Sequence, residues 1–272
     1  GPIHTFSASF PHHAGDETEF AKTVTDDLGT QAEFLQPLTE FDFDDLKRFL
    51  YHQELPVRST SIYAQWAVMK AVGRSEVKVL LDGQGGDELF AGYHHHVYKY
   101  GRDLLLGGKV FKYWQLVSEF SDLKGKDPAQ VQKLIRDDVK LYLKMRFGKY
   151  ELQPPENHAW NRARKLREVL QADLQSWGMP NLLRYEDRNA MAFGIESRLP
   201  LLDYRIIEFA AGLPDEYKIH QGWQKEILRR AVPELPDKIK FRKDKKGFTT
   251  PEKYWIDQYK SEFLAAAQVA LD

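Results

Sequence analysis

Along the first hundred residues, apolar and polar positions follow two rhythms that predict alternating strands and helices. Residues 3–10 read as a strand stopped at Pro11. Over 17–28, Phe20, Val24 and Leu28 recur at helical spacing and Gly29 supplies the stop. Residues 32–35 are a second short strand candidate, ended by Pro37. The spacing then predicts helices over 43–55 and 61–72, the second with Ile62, Trp66 and Met69 as its buried stripe. Val77, Val79, Leu80 and Leu81 form a short apolar run, as a buried parallel strand would. Strands alternating with helices imply βαβ units and a parallel sheet, hence an α/β class. After Tyr93 no strong strand pattern appears, and the chain reads as helical to about Trp177. Pro154-Pro155 breaks that run before a helix near 160–174.

The stretch that carries chemistry follows the apolar run: Asp82-Gly83-Gln84-Gly85-Gly86-Asp87-Glu88. Three glycines in four positions cannot continue a strand and favour a sharp turn with close backbone approach. Asp87 is placed to open a helix as its N-cap, with Leu89, Phe90 and Tyr93 at helical spacing. A strand, a glycine loop and a helix start together present backbone N–H groups to an anion. Two further segments have a chemical pattern. In 181–203, Leu183, Asp187, Ala190 and Met191 share a helical face, which puts a carboxylate in an apolar stripe. Asp187 there either pairs with Arg184 or Arg188, or faces a charged ligand. Gly194 stops that helix, and Glu196 and Arg198 follow in an extended segment. Residues 241–251, Phe-Arg-Lys-Asp-Lys-Lys-Gly-Phe-Thr-Thr-Pro, put four cations in five positions, either a solvated loop or an anion site.

Composition narrows the classes. A chain of 272 residues with 42% hydrophobic and 13% aromatic content can bury a sizeable core. A formal net charge of −1 argues against nucleic acid or an anionic membrane as a bulk electrostatic partner. Zero cysteines exclude disulfides, thiolate metal sites and a cysteine nucleophile, in keeping with a cytoplasmic location. No apolar run approaches the roughly 20 residues that span a bilayer. His94-His95-His96 invites a metal reading, but consecutive helical residues point about 100° apart, so these are read as surface residues.

Three motifs in order resemble the asparagine synthetase family of ATP-dependent amidotransferases. DGQGGDELFAGY is similar to its SGEGxDExFGGY-like loop, and DRNAMAFGIESRLPLLD to its DRxxMxxGxExRxPFLD helix, with a leucine for the phenylalanine. RKDKKGFTTP is similar to RxxKxGFxxP. The resemblance implies an ATP-pyrophosphatase-like parallel-sheet core over 1–100 and a mostly helical part over 101–272 that completes the site. It implies ATP and Mg²⁺ as cofactors, aspartate as the carboxylate adenylated, and ammonia from a glutaminase domain as the nucleophile. By motif match, Ala8, Asp82 and Gly83 lie beside the adenosine, and Gly85 and Gly86 belong to the same nucleotide loop. Asp87 matches the aspartate associated with Mg²⁺ and pyrophosphate, Lys245 the pyrophosphate lysine, and Glu88, Asp187 and Arg188 the substrate side. Asp87 and Lys245 are expected to meet in one cleft at the C-terminal end of the Val77 strand.

Two departures shape the expectation. The family commonly has glutamate in mid-loop, where it can take a proton from attacking ammonia. Gln84 hydrogen-bonds but is not a base, so Asp187, Glu88 or water takes the proton, or the substrate differs. The family's SGGxDS pyrophosphate loop and its glutaminase domain are also absent from the sequence, which reads as a C-terminal synthetase part inactive alone. In the family fold the strand carrying that loop lies between the strands matching 3–10 and 77–82. Those two are expected either to pair directly or to receive a strand from elsewhere. Two alternatives remain: a relative that adenylates another carboxylate, as the β-lactam synthetases do, and a non-catalytic binding module. A homo-oligomer also stays open.

Overall fold

The computed structural model describes residues 2–11, 13–37, 42–147 and 162–271, and the described elements form a mixed α/β, mostly helical structure. Pro154-Pro155 and the start of the helix expected near 160 lie outside these residues. Two compact units share the chain, one made of 1–80, 185–196 and 246–272 and the other of 81–184 and 197–245.

In the first unit, β1 (His4–Ala8) and β2 (Gln31–Leu35) pair in parallel, from His4 opposite Gln31 to Ala8 opposite Leu35. Parallel neighbours need a crossover, and α1 (Thr18–Leu28) supplies it. Gly29 ends α1 at φ 60°, a left-handed conformation that costs glycine little. Next come α2 (Phe43–Gln53), capped by the Asp42 carboxylate on Asp44 N–H, and α3 (Ser61–Arg74). The α3 stripe is buried as its spacing predicts. Ile62, Tyr63 and Trp66 pack with Phe49, Tyr185 and Trp255, while Met69 and Val72 pack with Ala190 and Ile195.

Phe6 of β1 and Leu80 of β3 (Val79–Leu81) pack on this second cluster. Val79 and Leu81 are exposed, at 43% and 69%, so β3 is not the buried strand that its apolar run suggests, and only Leu80 turns inward. Among the described residues β1 hydrogen-bonds only with β2, and β3 only with β4 (Glu196–Arg198). The direct β1–β3 pairing offered as one outcome is therefore not what the chain adopts. Among the described residues each strand is paired on one side only, which leaves its other edge open to a strand from elsewhere, the second outcome expected.

The 181–203 segment also departs from expectation. It contains α9, Met179–Met191. The face bearing Leu183, Asp187 and Met191 is exposed, and Tyr185, Glu186, Asn189 and Ala190 are the buried positions. The interior is polar where periodicity suggested an apolar stripe. Asn189 accepts from Gln53 Nε2 at 2.8 Å and donates to Ile62 O at 3.1 Å and Gln65 Oε1 at 2.8 Å. Arg188 pairs with Glu54 at 2.9 Å.

The second unit is built on α5 (His94–Leu106), α6 (Val110–Lys124), α7 (Pro128–Phe147) and α8 (Leu166–Ala172). Val97, Leu104, Leu116, Phe120, Val131, Ile135 and Leu166 form its main core. A π-helical turn, Asp173–Trp177, follows α8. The chain then returns through a hairpin absent from the expected pattern, β5 (Ile219–His220) with β6 (Trp223–Gln224). Two-residue strands are too short to show a period.

Candidate functional site

The glycine loop leaves β3 held by its backbone, Asp82 N–H donating to Arg198 O at 3.0 Å. Gly85 adopts φ 94°, and a Cβ there would lie 2.4 Å from Leu202 Cδ2. A Cβ on Gly86 would lie 3.2 Å from Leu201 Cδ1. The glycines thus serve close packing of the loop on the Leu201-Leu202 segment.

Beyond the loop the helix is a single turn, α4 (Gly86–Leu89), with Gly85 at its N-cap and no side-chain cap. Asp87 is therefore not a capping residue. It lies inside the turn, and four residues sum little macrodipole toward an anion. The helical spacing expected through Tyr93 also fails. Ala91 takes φ 59°, and the chain restarts as α5 at His94.

The Asp87 carboxylate faces two lysines. Lys225 Nζ lies 2.9 Å from Oδ1 and Lys245 Nζ 3.0 Å from Oδ2. Sequence brought Asp87 and Lys245 to one place and missed Lys225. That residue stands in the left-handed region at φ 54°, its N–H donating to Phe90 O at 3.2 Å. Gln224 Nε2 donates to Ala91 O at 3.1 Å, which seats the hairpin on the same turn. No sequence pattern marks Lys225. A non-glycine residue held at positive φ is a signal only coordinates give.

Burial would raise the Asp87 carboxyl, but the Lys225 and Lys245 ammoniums outweigh it and hold the group below its ordinary range. Glu88 beside it is buried and pushed the other way, chiefly by desolvation. Tyr93 joins the two sides of the site. Its hydroxyl donates to Glu88 Oε1 at 2.6 Å, and Lys245 Nζ sits 5.4 Å from its ring centroid. Burial, and Glu88 as acceptor, raise the Tyr93 hydroxyl.

Asp82, Gly83, half-buried Gln84, Gly85, Gly86, Asp87, Glu88 and Lys245 all belong to the second unit, whereas Ala8, Asp187 and Arg188 belong to the first. The basic loop is not simply solvated. Arg242 pairs with Asp244 at 2.8 Å, and Lys246 donates to Asp16 O at 3.3 Å.

The histidine run is corrected too. His96 is fully buried with Nε2 2.7 Å from Asp173 Oδ2, and His95 Nε2 lies 3.8 Å from the same oxygen. The 100° between adjacent positions is bridged because the carboxylate stands between the two rings.

The asparagine synthase family profile matches residues 1–270. The chain belongs to the asparagine synthase family. It is 24% identical over 289 residues to glutamine-hydrolysing asparagine synthetase 1 of Bacillus subtilis, covering 96% of this chain and 44% of that protein. Glutamine-hydrolysing asparagine synthetase 3 of the same organism is 25% identical, over 89% of this chain and 39% of that protein. Amidase chyE of Penicillium rubens is 23% identical, over 92% and 44%. The chain thus spans less than half the length of these relatives. Among its described residues, no helix is long and apolar enough to cross a membrane.

Proposed function

We propose that this chain carries synthetase chemistry of the asparagine synthetase type. ATP adenylates a carboxylate, the aspartate side chain, and ammonia derived from glutamine then displaces AMP in a cytoplasmic reaction. The supporting observation is Asp87 held between Lys225 and Lys245 at the end of the glycine loop. Two ammoniums on one carboxylate are a charge set ready to be shared with a metal-bound phosphate chain.

The residues fit Mg²⁺ only together with phosphate. Both Asp87 oxygens already face a lysine, and Mg²⁺ is commonly bound through one or two carboxylates plus substrate phosphates. Asp87 would hold the ion, which shields phosphate charge when bound. Lys225 and Lys245 would bind the departing pyrophosphate, and Tyr93 would keep Lys245 over its ring. Asp82 and Gly83 would lie beside the adenosine of an ATP-pyrophosphatase-like core. Glu88 would serve the substrate side.

Gln84 favours a second reading. It offers no base, and a relative named as an amidase matches 92% of this chain, so the carboxylate activated could be other than aspartate.

The test is calorimetric titration of the chain with magnesium pyrophosphate. The proposal expects Lys225→Ala and Lys245→Ala each to weaken binding about tenfold or more, the value of a charge-assisted contact. Affinities equal to that of the unsubstituted chain would refute it.

A further inference from the structure

Behind the loop, two helical elements bring three metal-binding side chains together. His95 and His96 stand on the first turn of α5, and Asp173 opens the π turn after α8. One donor atom from each lies within 4.8 Å of the others. We propose that His95, His96 and Asp173 form a binding site for a late first-row divalent cation, Zn²⁺ being the best match.

The chemistry of the donors selects the ion. Two imidazoles and one carboxylate suit Zn²⁺ and its neighbours, whereas Mg²⁺ and Ca²⁺ take oxygen ligands. Donors about 2.0–2.2 Å from a tetrahedral zinc stand about 3.3 Å from one another. The separations to Asp173 Oδ2 bracket that value, 2.7 Å from His96 and 3.8 Å from His95, and all three donors lie within 4.8 Å of one another, so side-chain adjustments of up to about 1.5 Å would admit an ion. His96 and Asp173 are buried and His95 is partly exposed, which gives two fixed ligands and one on the solvent side as a route of entry.

The surroundings favour a cation. Glu88 is as buried as Asp173, at 2% exposure each, and the two charges repel. Tyr93 fixes the histidines, stacked on His95 at 5.3 Å and 15° and edge-on to His96 at 5.3 Å. The proton accounting is simple. Without metal, His96 accepts from Tyr93 N–H at Nδ1 over 3.4 Å and donates through Nε2 to Asp173. Binding at Nε2 would replace the Nε2–H···Oδ2 bond by metal bonds to both atoms and move the ring proton to Nδ1, where the 3.4 Å contact with Tyr93 N–H must open. Three protein ligands leave a fourth position for water or an exogenous group.

Titration of the full chain with Co²⁺ alone tests the site. One equivalent should give visible d–d absorption of a four- or five-coordinate ion, displaced by Zn²⁺ and not by Mg²⁺. His95→Ala leaves the buried His96–Asp173 pair in place and should lower Co²⁺ affinity at least about 100-fold, beyond the loss typical of outer-sphere changes. Asp173→Asn should do the same, with folding of both variants checked by circular dichroism. Should Asp173→Asn fail to fold, His95→Ala decides. Failure of the unsubstituted chain to bind one equivalent overturns the site, as does an undiminished spectrum in His95→Ala.

Discussion

Asp87→Asn keeps the shape of the side chain and deletes its charge, leaving two ammoniums facing an amide. At 2.9 and 3.0 Å, each lysine–carboxylate attraction is about 5–6 kcal/mol at an effective dielectric near 20, before desolvation is subtracted. Removing one partner of a fully buried pair costs about 3–5 kcal/mol. Here the Asp87 side chain keeps 20% exposure and the lysines 32% and 24%, so about 2–3 kcal/mol is expected. For a chain of this size that lowers Tm by roughly 4–12 °C. Had Asp87 been a helix cap, asparagine would have replaced it at almost no cost. Lys225→Met added to Asp87→Asn should recover about 1 kcal/mol, since only one ammonium then lacks a counter-charge. The pH dependence carries a sign. The Asp87 carboxyl is depressed below its ordinary 3.8, so its contribution is complete above that value and is lost as pH falls through the folded value. The gap between the native chain and Asp87→Asn should therefore hold at pH 6 and close below about pH 4. Thermal melts of both proteins across that range check it. A Tm for Asp87→Asn within about 1 °C of the native chain at pH 6 would refute the ion-pair account.

Two further substitutions probe the same turn. A Cβ on Gly92 would stand 1.7 Å from Asp87 Oδ1, so Gly92→Ala should displace the carboxylate and cost about as much as Asp87→Asn. The two losses should not add in the double variant, and additivity in melts would disprove the contact. On the proposed synthetase chemistry, Gln84→Glu should preserve or raise the amination rate if the ammonia proton leaves elsewhere. If Gln84 instead binds a substrate group, the same change should raise KM by repelling an anionic substrate. Steady-state kinetics separate these outcomes, and a dead enzyme with normal substrate binding contradicts both.

How much was legible in the sequence follows from the range of the forces involved. Helices and strands with several residues per period were readable, and β1, α1, β2, α2, α3 and β3 fall close to the expected places. Local patterns failed where tertiary contacts decide. Asp187 shares a helical stripe with Leu183 and Met191, yet α9 buries its opposite side because Asn189 completes a polar network with Gln53 and Gln65. The turn at Ala91 looks helical in sequence, but hydrogen bonds from Gln224 and Lys225, more than 130 positions away, hold it open. Lys245 was found because its segment has a motif, and Lys225 was missed because its role depends on backbone conformation. His96 was judged from its neighbours on one helix, whereas its partner Asp173 arrives from another element.

The arrangement at Asp87 has a consequence for how ligands bind. Lys225 and Lys245 cannot turn toward a phosphate without leaving a partly buried carboxylate uncompensated. Asp87 likewise cannot accept a divalent cation without setting two ammoniums against it. Each event alone is opposed by the lock, and the two together exchange partners without stranding a charge. Mg²⁺ and pyrophosphate should therefore bind to this chain with positive coupling of about 1–3 kcal/mol, or roughly 5–150-fold, beyond their association in solution. Calorimetric titrations at matched free concentrations measure it: Mg²⁺ alone, pyrophosphate with chelator, then both. In Asp87→Asn the lysines are released from their carboxylate, so pyrophosphate alone should bind more tightly than to the native chain while the coupling disappears. If Asp87→Asn binds metal-free pyrophosphate more weakly than the native chain does, the two lysines are not held back by Asp87 and the partner-exchange argument fails.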